Sequence, residues 1–336
     1  MMASPVPLIE VVIPAYNAAG FIRETLDSIA AQTAAPALVS VVDDRSTDDT
    51  AAIVEAAARE LAPRLAIRLL RNAGPRGPSA ARNTAIRASE AEWIALCDAD
   101  DLMLPEHLAT LAAIAAEPGT VLAFGDCSLF DSDSGRVMLE SHHAKAKLAE
   151  LPAVPAVGGG KRLTEGFAGL LRGPRIPTSA CLLRRDAVLA AGLFDEAMMF
   201  AEDADLFLRL AWLGDLVFTD QSIVRKRLHA ENLSREGNRV QFSRGGAVVA
   251  LKMLAIARAA DPAPFRPKPQ DRAACEALLP FSFWAYLYDA SRAGLIPYAA
   301  ALSLVWKSGF RRPALSPRHL ARALAHAARF VLMPRR

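Results

Sequence analysis

Apolar runs of strand length alternate with amphipathic stretches through the first hundred residues. Four such runs are bounded by polar or turn residues: 9–13, 38–42, 65–70 and 93–97. Between them, apolar residues recur at helical spacing, as in 20–31 and 79–89. Strands and helices that alternate in this way predict an α/β fold, in which helices cover both faces of a mostly parallel sheet.

Polar residues follow three of these predicted strands at the point where each strand ends. The segments are PAYN at 14–17, DDRSTD at 43–48 and DADD at 98–101. In open α/β sheets, ligands bind beyond the carboxyl ends of the strands. The pattern therefore predicts that a functional site lies at this edge of the sheet.

The DADD segment places Asp98, Asp100 and Asp101 directly after the apolar run 93–97. Carboxylates at the end of a core strand repel one another and lose solvation, so a nearby cation normally compensates them. Hard oxygen ligands favour Mg²⁺ or Mn²⁺ over zinc. We expect the cluster to hold a divalent metal ion.

A second pair of acids, Glu202 and Asp203, precedes Leu206, Leu210 and Leu213, which recur at helical spacing. The pair is therefore predicted at a helix N-terminus, where the helix dipole favours negative charge. This preference leaves two interpretations open, because the acids can stabilise the helix or perform chemistry.

The pattern changes after residue 237 to Ala-rich helices interrupted by the Pro-rich segment 261–269. We therefore predict an α/β domain over residues 1–237 and a helical C-terminal region over 238–336. That region contains no Asp or Glu from Ala290 onward, but nine Lys and Arg residues. This asymmetry suits contact with an anionic membrane surface, and equally a solvated basic helix face.

Composition excludes several classes of protein. A formal charge of +3, with no basic run interleaved with aromatic residues, does not favour nucleic-acid binding. Four widely spaced cysteines predict buried thiols in a reducing compartment, hence a cytoplasmic location. No signal peptide is expected, and no uninterrupted apolar run approaches the roughly 18 residues of a membrane span.

Six motifs occur in an order that resembles family 2 of the nucleotide-sugar glycosyltransferases, which have the GT-A fold. They are VVIPAYN, VDDRSTDDT, GPSAARN, LCDADD, RRDAVLAAGLFDE joined to AEDADLFLRLA, and RLHAENLS. The resemblance covers Leu8 to Ser234. One departure is Arg45, at a position where the family usually has Gly. The resemblance implies a Rossmann-like sheet flanked by helices, followed here by a C-terminal helical appendage.

The resemblance also implies roles for the acids of LCDADD. Asp100 would bind the metal ion, Mn²⁺ or Mg²⁺, and Asp98 would face the ribose or a metal-bound water. Asp101 is the weaker choice as a ligand. His229 matches a position that supplies another metal ligand in some relatives, although a lone histidine is often structural.

For the nucleotide, the resemblance implies that Asp44 accepts a hydrogen bond from the base. Pro14, Ala15 and Tyr16 would form the wall of the pocket. Arg82 would contact phosphate or hold the first carboxylate of the DADD segment in place.

For catalysis, Asp203 matches the general base of the family, with Glu202 beside it as the alternative. One base opposite a leaving group implies a single displacement and inversion at the anomeric carbon. The predicted enzyme moves a sugar from a UDP-linked donor to a saccharide or lipid-linked saccharide acceptor. It would work in the cytoplasm, at the inner face of a membrane.

Two other functions are compatible with the fold. A nucleotidyltransferase that makes nucleotide sugars would carry a Gly-rich phosphate loop with Lys or Arg after the first strand, and PAYNAAG lacks one. A non-catalytic binding protein would be favoured by loss of Asp100 or Asp203, and both are present.

Overall fold

A computed structural model describes residues 8–173, 175–232, 236–309 and 321. The chain forms two compact units that divide between His229 and Ala230. The boundary at 237/238, expected from the sequence, stays a prediction.

The described residues of the first unit form eleven strands and eight α-helices. The strands are β1 Ile9–Ala15, β2 Leu38–Asp43, β3 Ile67–Arg71, β4 Trp93–Leu96, β5 Leu102–Met103, β6 Thr120–Asp131, β7 Val137–Leu139, β8 Ala153–Pro155, β9 Lys161–Leu163, β10 Cys181–Arg184 and β11 Asp215–Leu228. The helices are α1 Ile22–Ala30, α2 Thr50–Leu61, α3 Pro78–Ala88, α4 His107–Ala115, α5 His142–Lys145, α6 Gly166–Leu171, α7 Arg185–Ala190 and α8 Glu202–Leu210.

The strands form one sheet in the order β3-β2-β1-β4-β10-β6-β11-β9-β8, with β5 and β7 paired at its side. The first four strands in this order are parallel to one another, as the alternation of strands and helices predicts. The second part is mixed, since β10 runs antiparallel to both β4 and β6, whereas β6 and β11 are parallel. The carboxyl ends of β1, β2 and β4 therefore lie at one edge.

The core of the first unit forms because its central strands are apolar on both faces. Val11 and Ile13 lie on one face of β1 and Val12 lies on the other, and all three are fully buried. Continuous apolar strands are typical of a parallel sheet that helices cover on both sides. On α1, buried Ile22 and Leu26 are four residues apart and so share one face of the helix.

The described residues of the second unit form three α-helices: α9 Arg239–Arg258, α10 Pro269–Ala293 and α11 Leu295–Lys307. The break between α9 and α10 contains most of the predicted Pro-rich segment. Among the described residues, α9 alone has the length and apolar composition to cross a membrane, a criterion that core helices of soluble proteins also meet. Most of the basic C-terminal stretch predicted from the sequence lies outside the described residues.

Candidate active site

Arg82 of α3 connects the two acid clusters that the sequence singled out. Its Nη2 donates to Asp98 Oδ1 at 2.9 Å, and its Nη1 donates to Glu202 Oε1 at 2.9 Å. Burial lowers the pKa of Arg82, but the charges of Asp98 and Glu202 outweigh that effect and raise it above the ordinary value. A permanently charged guanidinium therefore joins the end of β4 to the start of α8.

The three carboxylates after β4 form a candidate metal centre. Asp98, Asp100 and Asp101 each offer an oxygen, and these atoms lie within 4.8 Å of one another. Oxygen ligands at this spacing suit a hard divalent cation. The residues present therefore fit the metal ion that the sequence predicts.

Asp101 differs from its neighbours because the protein already uses both of its oxygens. Ser179 Oγ donates to Oδ2 at 2.6 Å, and the backbone N–H of Arg227 donates to Oδ1 at 3.0 Å. Burial, which outweighs the charge of nearby Lys226, raises the pKa of Asp101 to about 7. The first bond attaches the segment before β10 to the turn after β4, and the second attaches β11 to it. Asp101 therefore has a structural role at the site.

His229 lies beside the acid expected to bind metal. Its Nε2 is 2.8 Å from Asp100 Oδ2, and its ring packs on Phe21 with the ring centroids 4.5 Å apart. The structure thus brings together two residues that are 129 positions apart in the chain. Carboxylate oxygen and imidazole nitrogen together form a donor set that suits Mn²⁺.

Lys226 is a residue of this centre that sequence analysis missed. Its Nζ is 3.8 Å from Asp98 Oδ2. Burial lowers the pKa of Lys226, but the charges of Asp101, Asp98 and Asp100 raise it well above the ordinary value. Lys226 directly precedes the RLHAENLS motif. This closeness to a motif of the site is the sequence signal by which Lys226 could have been found.

Glu202 and Asp203 begin α8, as the leucine spacing predicts. Burial and the charge of Asp203 raise the pKa of Glu202 to about 7, although Arg82 opposes this shift. Asp203 points elsewhere, since its Oδ2 accepts a hydrogen bond from Thr178 Oγ1 at 2.8 Å. The two acids therefore have different partners, and Glu202 is the one committed to the buried arginine.

Asp203 also lines an open cleft. Apolar side chains of α6 and α8 form much of its wall, including Leu170, Phe207 and Leu208. A carboxylate at the edge of an open cleft can accept a proton from a bound hydroxyl group. Glu202 is absent from the lining of this cleft.

Asp44 and Tyr16 form a second group, at the ends of β2 and β1. Asp44 is buried, and it accepts hydrogen bonds from Asn72 Nδ2 at 2.5 Å and from the Gly77 N–H at 2.7 Å. Its own N–H donates to the Ala15 carbonyl at 2.7 Å, next to Pro14 in β1. Asn72, which the sequence did not single out, thereby fixes the loop that leads into α3.

Tyr16 is 46% exposed, and the guanidinium of Arg76 lies 3.9 Å from the centroid of its ring. Arg45 occupies the position where the family usually has Gly, and its φ of +64° is in the left-handed region that glycine favours. Arg45 Nη2 donates to the Gly74 carbonyl at 2.7 Å. Arg45 therefore adopts the backbone conformation that glycine favours, and it adds a side-chain contact to the neighbouring loop.

Asn83 explains why two of the motifs occur together. Its Nδ2 donates to the Phe194 carbonyl and to Glu196 Oε1, each at 2.9 Å, while the Phe194 N–H donates to Asn83 Oδ1 at 3.0 Å. The GPSAARN segment is thus bonded to the GLFDE segment that leads to α8. These bonds fix the direction from which α8 approaches Arg82.

Residues 10–188 match the sequence model of the family described as glycosyl transferase family 2. The chain is similar to the succinoglycan biosynthesis protein ExoO of Rhizobium meliloti, with 35% identity over 147 residues. That alignment covers 44% of this chain and 40% of ExoO, so the chain matches less than half the length of this relative.

Two solved structures share the fold. S. aureus TarS 1–349 in complex with UDP-GlcNAc has a TM-score of 0.63 at 22% identity, over 96% of this chain and 87% of that one. The mannosyltransferase PcManGT from Pyrobaculum calidifontis, in complex with GDP-Man and Mn²⁺, has a TM-score of 0.60 at 23% identity, over 97% and 87%. These likenesses confirm the predicted α/β sheet with C-terminal helices as the GT-A architecture. The chain belongs to glycosyl transferase family 2.

Proposed function

We propose that the protein transfers a sugar, with inversion, from a UDP-linked donor to a saccharide or lipid-linked saccharide acceptor. The observation that carries the proposal is the bridge by Arg82 between Asp98 and Glu202. It holds the end of β4, where the donor phosphates would bind, against the helix that carries the candidate base. The similarity to ExoO, a succinoglycan biosynthesis protein, supports a role in polysaccharide synthesis.

The donor would lie across the ends of β1, β2 and β4. Asp44 would accept from the base through its remaining lone pairs, and Pro14, Ala15 and Tyr16 would form the pocket wall. Both structural neighbours were solved with nucleotide sugars, one linked to UDP and one to GDP. Tyr16 keeps nearly half of its surface open to solvent, which leaves an aromatic face for a base.

Asp98, Asp100 and His229 would hold Mn²⁺ or Mg²⁺, and Asp101 would support the turn that carries the two aspartates. When bound, such an ion supplies positive charge to the diphosphate leaving group. PcManGT was solved with Mn²⁺. Lys226 would occupy the same acidic centre and contribute a fixed positive charge beside the phosphates.

Asp203 would remove the proton from the acceptor hydroxyl group. It lines the cleft, whereas Glu202 is bound to Arg82. The hydrogen bond from Thr178 Oγ1 fixes the direction of the Asp203 carboxylate. One base and one leaving group give a single displacement, so the product would have the inverted anomeric configuration.

A donor screen by thermal shift tests the proposal. UDP, GDP, CDP and dTDP sugars are added to the full chain with Mn²⁺, with Mg²⁺ or with a chelator. We expect a shift for UDP sugars that requires metal, because a ligand that binds only the folded state raises its stability.

The matched variant is Asp100→Asn, which should lose the metal-dependent part of this shift. Asp186→Asn serves as its control, since Asp186 is an exposed acid of α7, which follows β10 at the opposite edge of the sheet. A thermal shift for GDP sugars alone would show that the donor is GDP-linked and not UDP-linked. No shift with any nucleotide in any metal would overturn it.

A further inference from the structure

Helix α10 exposes an aromatic face. Phe281 is 70% exposed and Trp284 is 52% exposed, and with Tyr288 they recur at positions i, i+3 and i+7. This spacing puts all three rings on one side of the helix. Trp284 and Tyr288 stack with their centroids 5.3 Å apart. The opposite side is buried through Phe283 and Leu287.

A cation borders this aromatic face. The guanidinium of Arg292 lies 5.8 Å from the centroid of the Tyr288 ring, and its Nη1 is 3.2 Å from the Tyr288 hydroxyl oxygen. On α11, Ile296 is 86% exposed and Trp306 is 58% exposed, and Lys307 follows directly. Both helices thus present large apolar side chains together with positive charge, a combination typical of helices at a membrane surface.

Charge is divided unequally along the chain. Residues 238–336 contain sixteen Lys and Arg against four Asp and Glu, whereas residues 1–237 contain 23 against 32. The exposed aromatic residues therefore belong to the strongly basic part of an otherwise acidic chain. A second copy would bring the same positive charge to this surface, so electrostatics disfavour self-association there. An anionic surface is the complementary partner.

We propose that the second unit, which contains α9, α10 and α11, docks peripherally on an anionic phospholipid surface. Phe281, Trp284, Ile296 and Trp306 enter the interface, and Arg292 and Lys307 bind the headgroups. The proposal does not rely on α9, whose apolar residues Ala250, Met253 and Leu254 are buried in the protein. The inference goes beyond the transfer reaction, and lipid binding is measured without donor or acceptor, so the two proposals fail separately.

Co-sedimentation of the full chain with vesicles tests this inference. One set of vesicles contains phosphatidylcholine alone, and in the other set phosphatidylglycerol replaces part of it. We expect binding only to the second set, and weaker binding at high salt, because salt screens exposed charges. Equal binding to both sets, or to neither, would overturn the proposal.

Two pairs of variants separate the contributions. F281A/W284A should reduce the bound fraction severalfold, whereas V137A/M138A, which removes exposed apolar side chains from the first unit, should not. R292E/K307E should reduce it, whereas R59E/R64E, the same charge change in the acidic part of the chain, should not. Circular dichroism confirms that each variant is folded. If a variant in the second unit and its control in the first unit reduced binding equally, the second unit would not be the docking surface.

Two further outcomes would assign the surface to another occupant. A dimer detected by light scattering without lipid, and lost in F281A/W284A, would make the partner a second copy of the chain. Protein that stays with the vesicles after high-salt and alkaline washing would be inserted in the bilayer, which contradicts peripheral docking.

Discussion

The two units of this protein use charge in opposite ways. In the first unit, Arg82 is buried and bonded to two carboxylates, and Asp101 is fully enclosed by its partners. In the second unit, Arg258 and Arg272 share Glu276 at the surface. Breaking a buried pair leaves an uncompensated charge and costs about 3–5 kcal/mol, whereas exposed pairs contribute about 0–1 kcal/mol. Charge therefore positions a site in one unit and remains available to a partner in the other.

The two units also differ in how many of their aromatic side chains are exposed. In the described part of the first unit, Tyr16 is the large exposed aromatic residue, and it lies at the predicted nucleotide pocket. In residues 236–309, Phe281, Trp284 and Trp306 are each more than half exposed. Exposed rings are concentrated where each unit is proposed to bind something, and the comparison yields three predictions.

The largest effect is expected from Asp203→Asn in the first unit. The amide keeps an oxygen that can accept from Thr178 but cannot take up a proton, so donor binding should persist while transfer falls about 10²–10⁴-fold. Steady-state transfer rates and donor thermal shifts measure the two properties. Asp186→Asn, at an exposed acid of α7, is the control. Transfer at the normal rate would show that Asp203 is not the base.

The second prediction concerns neighbouring phenylalanines on α10. Phe283 is completely buried and Phe281 is 70% exposed. Phe283→Ala should lower the free energy of unfolding by about 3–5 kcal/mol, because it leaves a cavity. Phe281→Ala should change it by less than about 0.5 kcal/mol. Urea denaturation measures both values. A large loss in Phe281→Ala would mean that its ring stabilises the fold, so it could not be assigned to docking alone.

The smallest of the three effects is a pH dependence that arises in the first unit. Burial lowers the pKa of His107 from its ordinary value of 6.5 to about 4. Between these values the unfolded chain binds a proton that the folded chain does not. Stability is therefore lost as pH falls, by roughly 2 kcal/mol at pH 5 for this group. Residues 236–309 of the second unit contain no histidine, so this described segment adds no contribution of the same kind.

His107→Gln isolates this contribution from the other titrating groups. The amide can still donate to the Ile223 carbonyl, which lies 3.2 Å from His107 Nδ1. Asp101 and Glu202, whose pKa values are raised, act with the opposite sign and are unchanged by the substitution. The change in unfolding free energy from pH 7 to pH 5 should be more favourable in the variant than in the wild type, by roughly 2 kcal/mol. Equal differences would contradict the prediction.

The sequence by itself determined the parallel half of the sheet and the membership of the family. The strands at 9–13, 38–42 and 93–97 are largely apolar, with Glu10 and Ser40 as polar exceptions, and each is followed by its polar segment within a few residues. These signals are local, because a strand buried on both faces is apolar along most of its length. The start of α8 at Glu202 also follows from leucine spacing within one helix.

Only the tertiary structure decided how the site is assembled. Arg82 meets Glu202 across 120 residues of sequence, and His229 meets Asp100 across 129. Neither pair leaves a periodic pattern in the chain. Lys226 and Asn72 were missed for the same reason, since each is defined by a partner on another strand or loop. The mixed half of the sheet, with β10 antiparallel between β4 and β6, likewise depends on long-range pairing. Hydrophobic pattern fixes which segments are buried, whereas packing fixes which of them become neighbours.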